Sequence, residues 1–434
     1  MKPFARRRVG PRLGLLLGTA MAVTRLGAET LEDAWVLAET HDFGLAAARS
    51  DAEAAELSAR AARGERWPVL MASGSFTQLQ DAPAFRLGAS PLPEIFSHDN
   101  FVLGGLTVNV PLYTGGRIAN QIAAADAGGR AGTAAADGAR KDLRLAVAEN
   151  YLAVLRAERA LAVAQSNVAS LADFLRDVQS MFNREVVPRN DLLSAQVALA
   201  NAEQVRLQAA NGLELARAAY NRRIGQPLDR MFELAPVTLV TTSDLSSRSL
   251  AELEAKAQAA RAEIAVLEAR GQALGFAAEA ERSRRLPQVS LTGGYQYLEN
   301  EVLDRQKFAM VGVDLKWAIF DGGQIRNRSD SLLLGQRASE QRLADLRSML
   351  ALEVRQAWYT LQESRARIDV ARDAVEQSEE NLRIATKQYG AGLVNSTRVL
   401  EAEALRTVSR SNRENALLDA EIARVRLAGA VGEL

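Results

Sequence analysis

Two histidines, His41 and His98, are the only imidazoles among 434 residues, and neither has a carboxylate cluster beside it. Cysteine is absent. Together these facts exclude thiolate and histidine-rich metal sites, disulfides, a cysteine nucleophile and a lipid anchor on an N-terminal cysteine. No Ser/His/Asp set, phosphate loop or metal-ligand spacing is present, so the chain does not read as an enzyme and no cofactor is expected. Both histidines read as ordinary surface residues. Lysine plus arginine equal aspartate plus glutamate at 53 each, so no net field points toward nucleic acid.

What the chain does repeat is a conformational device. "PLYTGGRIAN" (111–120) and "AIFDGGQIRN" (318–327) each follow an alternating apolar run, set a Gly-Gly pair after an aromatic, and pass into an Ala- and Leu-rich stretch. Glycine allows close backbone approach and unusual φ/ψ. Gly115-Gly116 and Gly322-Gly323 therefore mark two equivalent junctions from strand to helix.

The elements that place these junctions also occur twice. Thr30-Leu31 aligns with Ser249-Leu250, and "RWPVLMASGSF" (66–76) with "RLPQVSLTGGY" (285–295), at a shift of 219. From Phe101 onward the shift is 207, and the difference falls in a longer loop at 77–100. A fixed offset over this length marks two copies of one unit, 29–225 and 249–434, joined by a linker at 226–248. Helical spacing over 30–65 and 250–284 ends at Pro68 and Pro287, which cannot continue a helix. Strands are expected at 68–79, 101–112, 287–297 and 308–320. Val102, Leu106, Val108, Val110 and Leu112 share one face of the second, and Val289, Leu291, Tyr295 and Tyr297 one face of the third. Segment 68–79 alternates less clearly. These lengths suit tilted strands crossing a bilayer.

After each Gly-Gly pair the period changes to about 3.5. Val147, Tyr151, Val154, Leu161, Val168, Leu175 and Phe182 keep one 4/3 register, repeated by Val354, Trp358, Leu361, Ile368, Val375, Leu382 and Tyr389. This predicts coiled-coil helices over 115–183 and 322–388, with helices returning over 188–224 and 394–430. Gly128-Gly129 is the expected point for a bend, and Gly132 reads as an exposed helical site. At the other extreme of the chain, Lys2, Arg6, Arg7, Arg8 and Arg12 precede "LGLLLGTAMAV", the pattern of a signal peptide over 1–28, cleaved after Ala22 or Ala28. No later run is long and apolar enough to span a membrane as a helix.

Four strands cannot close a transmembrane sheet, because an open edge leaves backbone donors and acceptors unpaired in lipid. Three chains supply twelve. The junctions, paired repeats and leader together resemble the TolC family of outer-membrane efflux channels across about residues 29–434. The fold class this implies is an α+β membrane protein, a homotrimer with a twelve-stranded transmembrane β-barrel (four strands per chain) continued by a long α-helical coiled-coil periplasmic barrel. The function implied is a non-catalytic exit duct lying in outer-membrane lipid. It works with a periplasmic adaptor protein and an inner-membrane pump, proton-driven or ATP-driven, to conduct drugs, metals or secreted proteins outward. Trp67, Tyr113, Trp317 and Phe320 are then interface aromatics. The turns "FNREVVPRNDLLSAQ" (182–196) and "YGAGLVNSTRVLEAE" (389–403) are the periplasmic entrance and adaptor surface. In that family's founding member the second turn carries two aspartates three residues apart. The matching positions here are Arg398 and Glu401, with Asp191 and Ser194 in the first copy. A base replaces one acid, which argues against a strongly cation-selective constriction. The competing view makes Arg398 and Glu401 an exposed helical pair worth tenths of a kcal/mol. The competing view of the whole chain is an exported periplasmic coiled-coil scaffold without a barrel.

Overall fold

The computed structural model describes residues 28–80, 84–87, 90–94, 100–236, 245, 248–299 and 304–434. Residues 1–27 of the expected leader (1–28), and His98, lie outside the described residues. The chain begins with α1 (Leu31–His41) and α2 (Phe43–Gly64), then runs through β1 (Val69–Gln78), a small hairpin of β2 (Ala84–Leu87) and β3 (Ser90–Glu94), and β4 (Asn100–Tyr113). It continues as α3 (Arg117–Asn183) and α4 (Arg189–Arg223). The second half supplies α5 (Leu250–Ala260), α6 (Ala262–Arg282), β5 (Gln288–Leu298), β6 (Lys307–Lys316), α7 (Gln324–Gly390) and α8 (Ser396–Ala430). Both long helices have 67 residues and both returning helices 35.

The sequence pattern merges α1 with α2 and α5 with α6; the structure breaks each pair at one extended residue, Asp42 (φ −72°, ψ 120°) and Arg261 (φ −75°, ψ 123°). Asp42 makes the break productive, because its carboxylate accepts from the Leu45 N–H at 2.7 Å and starts the next helix. Thr30 with Asp33, and Ser249 with Glu252, form capping boxes at the head of each half. The fourth strand ends at Lys316, short of the expected Phe320, so Trp317, Ile319 and Phe320 lie beyond the sheet.

The four long strands form one antiparallel sheet in the order β1-β4-β5-β6. A scaffold made only of coiled coil does not contain such a sheet. Its register decides which residues share a face. Leu70 opposes Val108, Leu106 opposes Tyr295, and Leu291 opposes Val313. Side chains alternate along a strand, so these residues and their i±2 neighbours make one continuous apolar face. The opposite face carries Thr107, Asn109, Ser290, Thr292 and Asp314, where Asn109 Nδ2 lies 3.4 Å from both Ser290 Oγ and Thr292 Oγ1, and Thr292 donates to Asp314. Register also assigns β1, which sequence alternation leaves ambiguous: Leu70, Ala72 and Phe76 join the apolar face.

Beneath the sheet, α3 runs unbroken for about 100 Å at 1.5 Å per residue. At Gly128-Gly129, the expected weak point, the helix is not interrupted. The main core lies where α1, α3, α4, α5 and α8 meet, around Tyr151, Tyr220, Leu253 and Leu427. Glu29 ties it together: its backbone carbonyl accepts from Tyr151 OH (2.8 Å) and Ala235 N–H (2.9 Å), and its carboxylate accepts from Tyr220 OH and Arg230. Burial raises both tyrosine pKa values, so both hydroxyls stay donors. A smaller core closes the far end, formed by Phe174, Val178, Leu192, Tyr389 and Val399 from all four long helices.

Along α7 the expected seam is buried at Val354, Leu361, Val375 and Tyr389 and half-buried at Trp358, Ile368 and Leu382, with Ser364, Ala371, Ser378 and Ala385 buried on the neighbouring stripe. Along α3 it holds through Val147, Tyr151 and Val154 and then moves to Ala164, Leu171, Phe174 and Val178, leaving Leu161, Val168, Leu175 and Phe182 half-buried. A straight helix drifts about 20° per heptad from a strict 3.5 repeat. This drift brings up the neighbouring stripe from Ala164 onward.

Candidate functional site

At each junction both glycines are left-handed: Gly115 and Gly116 at φ +61° and +89°, Gly322 and Gly323 at φ +64° and +83°. The second of each pair caps the long helix from outside, so the helices begin at Arg117 and Gln324 rather than at the glycines. The preceding residue completes the cap. Asp321 accepts from Gly323 N–H at 2.9 Å and Ile325 N–H at 2.7 Å, and these bonds, the Ile325 one foremost, hold its carboxyl below the usual carboxylate range. The carbonyl of Thr114 accepts from Arg117 N–H (2.9 Å) and from Gln288 Nε2 (3.1 Å), joining this junction to the start of β5. The two junctions differ in crowding. A Cβ on Gly115 would meet Leu286 Cβ at 2.8 Å, whereas one on Gly322 meets nothing within 4 Å.

Pro68 and Pro287 lie at the opposite crossing, between helix and strand. Leu286, before the second proline, is extended (φ −87°, ψ 151°) after a short 3-10 turn at Ser283–Arg285. Trp67, Tyr113, Trp317 and Phe320 are exposed around this end of the sheet, and Trp317 Nε1 donates to the Arg285 carbonyl at 3.0 Å. His41 is exposed, its Nδ1 2.9 Å from the Leu37 carbonyl. Gly132, expected as an exposed helical site, instead packs on α2: its Cβ would come within 3.1 Å of Ala55 Cβ.

The far ends of the helices carry the remaining candidates, and the structure separates them. Arg398 and Glu401 form an i,i+3 ion pair at 3.5 Å with side chains 55% and 57% exposed in the single chain. Ser194 lies on the same helix as Asp191, half-buried. Asp191 is 7% exposed and accepts from Tyr389 OH at 3.3 Å, joining the start of α4 to the end of α7. Phe174 of α3 holds the Tyr389 ring at a centroid distance of 5.4 Å. Burial, then the neighbouring Asp191 carboxylate, pushes the Tyr389 hydroxyl up to about 12. Sequence reasoning placed Tyr389 in the seam and at the head of the 389–403 turn, without a partner for its hydroxyl. Two turns from the tip, buried Glu403 accepts from Ser170 (3.1 Å) and Arg406, and burial raises its pKa. Nothing in a charged helical segment distinguishes Glu403 before the helices are packed.

Each turn also bears a left-handed residue followed by an exposed apolar one: Glu185 (φ +59°) before Val186, and Gly392 (φ +70°) before Leu393. Val186 is 68% and Leu393 75% exposed. A non-glycine residue in this region costs about 1–2 kcal/mol. Glu185→Gly is therefore expected to slow hydrogen exchange at 182–187, about three-fold or more, since the turn then closes without strain. Faster exchange would show that the Glu185 side chain itself holds the turn.

Among the described residues, the sheet has one apolar face and its outer strands β1 and β6 each pair on one side only, and it is continued by helices about 100 Å long. Among the described residues no helix is long and apolar enough to cross a membrane. The chain belongs to the outer membrane efflux protein family, whose model matches residues 36–226 and 246–433. It is an outer-membrane efflux duct reaching into the periplasm, a conduit and not an enzyme. It is 26% identical over 304 residues to the cobalt-zinc-cadmium resistance protein CzcC of Cupriavidus metallidurans, covering 68% of this chain and 69% of that one. The fold matches CusC (TM-score 0.81, 17% identity, covering 93% and 92% of the two chains) and VceC from Vibrio cholerae (TM-score 0.80, 18% identity, 93% and 96%).

Proposed function

We propose that three copies of this chain close a twelve-stranded barrel in the outer membrane, with their helices forming a periplasmic tunnel that meets an adaptor protein and an inner-membrane pump. The single observation that carries this reading is the pair of free edges. Strands alternate in direction across β1-β4-β5-β6, so β6 of one copy runs antiparallel to β1 of the next and can pair with it. Lipid supplies no partner for an edge, so closure is required. Residues 29–225 and 249–434 act as two copies of one unit, each giving one hairpin of wall and one pair of helices. The leader over 1–28 is removed during export. In mild detergent the mature protein should have the protein mass of a trimer by light scattering corrected for bound detergent. A monodisperse monomer would sink the architecture.

At the tips, the exposed Val186 and Leu393 give the adaptor two apolar contacts per chain, and the exposed Arg398–Glu401 pair a charged one. Asp191 and Tyr389 lock the two turns of one chain together and set the width of the entrance. The cargo class we propose is divalent metal cations, on the likeness to CzcC. Loss of the gene should then sensitise cells to cobalt, zinc or cadmium salts, and unchanged tolerance to all three would point to another cargo.

A further inference from the structure

We propose that Arg66 and Arg285 form a collar that binds the phosphate headgroups of anionic phospholipids in the inner leaflet of the outer membrane. The inference rests on the barrel reading above and adds a lipid preference to it.

The two arginines occupy equivalent places, three residues before Val69 and Gln288 respectively, where the strands begin. Neighbouring arginines are neutralised: Arg63 by Asp126 (2.8 Å), Arg117 by Glu65 (3.7 Å), Arg282 by Glu279 (2.7 Å) and Arg284 by Glu281 (3.3 Å). Arg66 and Arg285 are exposed, and among the described residues neither has a carboxylate oxygen within ion-pair distance. Asp321 feels the charge of Arg285, yet directs its oxygens to the Gly323 and Ile325 N–H groups. Each half therefore leaves one guanidinium over, at the level where the apolar face ends.

The flanking aromatics fix which surface that is. Trp67 follows Arg66 in sequence. Trp317 follows directly on the end of β6, is exposed, and its indole N–H donates to the Arg285 carbonyl at 3.0 Å. Amphipathic rings of this kind sit at headgroup depth. A planar guanidinium beside them matches a phosphodiester in bidentate geometry. Basic residues at a bilayer surface attract anionic lipid, each by about five-fold.

Trp67 and Trp317 report directly on the bound lipid. The mature oligomer is reconstituted in phosphatidylcholine bilayers containing brominated-chain phosphatidylglycerol or brominated-chain phosphatidylcholine, and tryptophan quenching is compared. Phosphatidylglycerol should quench about five-fold more effectively in the wild type, with the preference falling in high salt. Arg66→Gln/Arg285→Gln should quench equally with either lipid, while Arg66→Lys/Arg285→Lys keeps most of the preference. Should the double glutamine variant fail to assemble, Arg66→Gln alone still halves the effect in an oligomer of wild-type mobility. Equal quenching in the wild type, or a preference unchanged in the glutamine variants, overturns the collar and leaves the barrel intact. No quenching by either lipid overturns the barrel itself. Loss of the preference on adding millimolar inorganic phosphate identifies a free-anion site and overturns the lipid assignment.

Discussion

Gly115→Val is expected to abolish assembly of the channel, Gly322→Val to weaken it, and Gly128→Val to leave it intact. All three replace one glycine by valine, at or just beyond the start of a long helix, so the difference isolates backbone conformation and crowding. Gly115 is left-handed at φ +61°, and an added Cβ would lie 2.8 Å from Leu286 Cβ and 3.0 Å from the Ser283 carbonyl oxygen. The left-handed backbone costs about 1–2 kcal/mol and overpacking about 1–3 more. Threefold repetition brings the total to roughly 6–15 kcal/mol, the size of a whole domain's stability. Gly322 carries only the conformational cost, since nothing lies within 4 Å of its Cβ. Gly128 is helical with equally open surroundings and serves as the control that Gly132, packed on Ala55, cannot. Recovery of a heat-modifiable oligomer from membranes ranks the three. Equal recovery would mean that the Gly-Gly pairs are ordinary turns.

Tyr389→Phe and Asp191→Ala should each raise single-channel conductance several-fold at unchanged trimer yield. Among the described residues the Tyr389–Asp191 bond is the side-chain hydrogen bond that joins the two turns within the tip core, and a buried bond of this kind contributes about 1–3 kcal/mol when its partner would be left unsatisfied. Tyr389→Phe keeps the ring against Phe174, so a rise in conductance reports the hydroxyl and not lost packing. The lock is expected to hold at neutral pH on the tyrosine side. A group raised from its ordinary value near 10 contributes fully below that value. Its contribution is lost as pH rises through about 12. Conductance that climbs in strong base in the wild type, but not in Tyr389→Phe, is the matching signature. The exposed Arg398–Glu401 pair should act on selectivity and not on width. Arg398→Ser should move the reversal potential toward cations and Glu401→Gln toward anions, with both effects shrinking in high salt. If neither moves it at low salt, the two residues face away from the conduction path. If conductance is also unchanged in both lock variants, the tip is open without the lock.

The sequence by itself determined the local elements and their recurrence. Alternation marks strands, a period near 3.5 marks the coiled helices, and proline and paired glycines mark the crossings, because each of these is set by a residue and its near neighbours. It could not see the one-residue breaks at Asp42 and Arg261, where no proline or glycine interrupts the pattern. It also stopped short of deciding the facing of β1, whose alternation is blurred by Ala72 and Gly74 until pairing with β4 sets the register. The tips divide the same way. Arg398 and Glu401 are three apart on one helix, so their pairing was legible in spacing alone. Asp191 and Tyr389 are 198 residues apart, and only the packing of α3, α4, α7 and α8 brings that carboxylate to that hydroxyl. Tertiary structure likewise decided that Gly115 is crowded and Gly322 free, since the neighbour that crowds it, Leu286, comes from the other half of the chain.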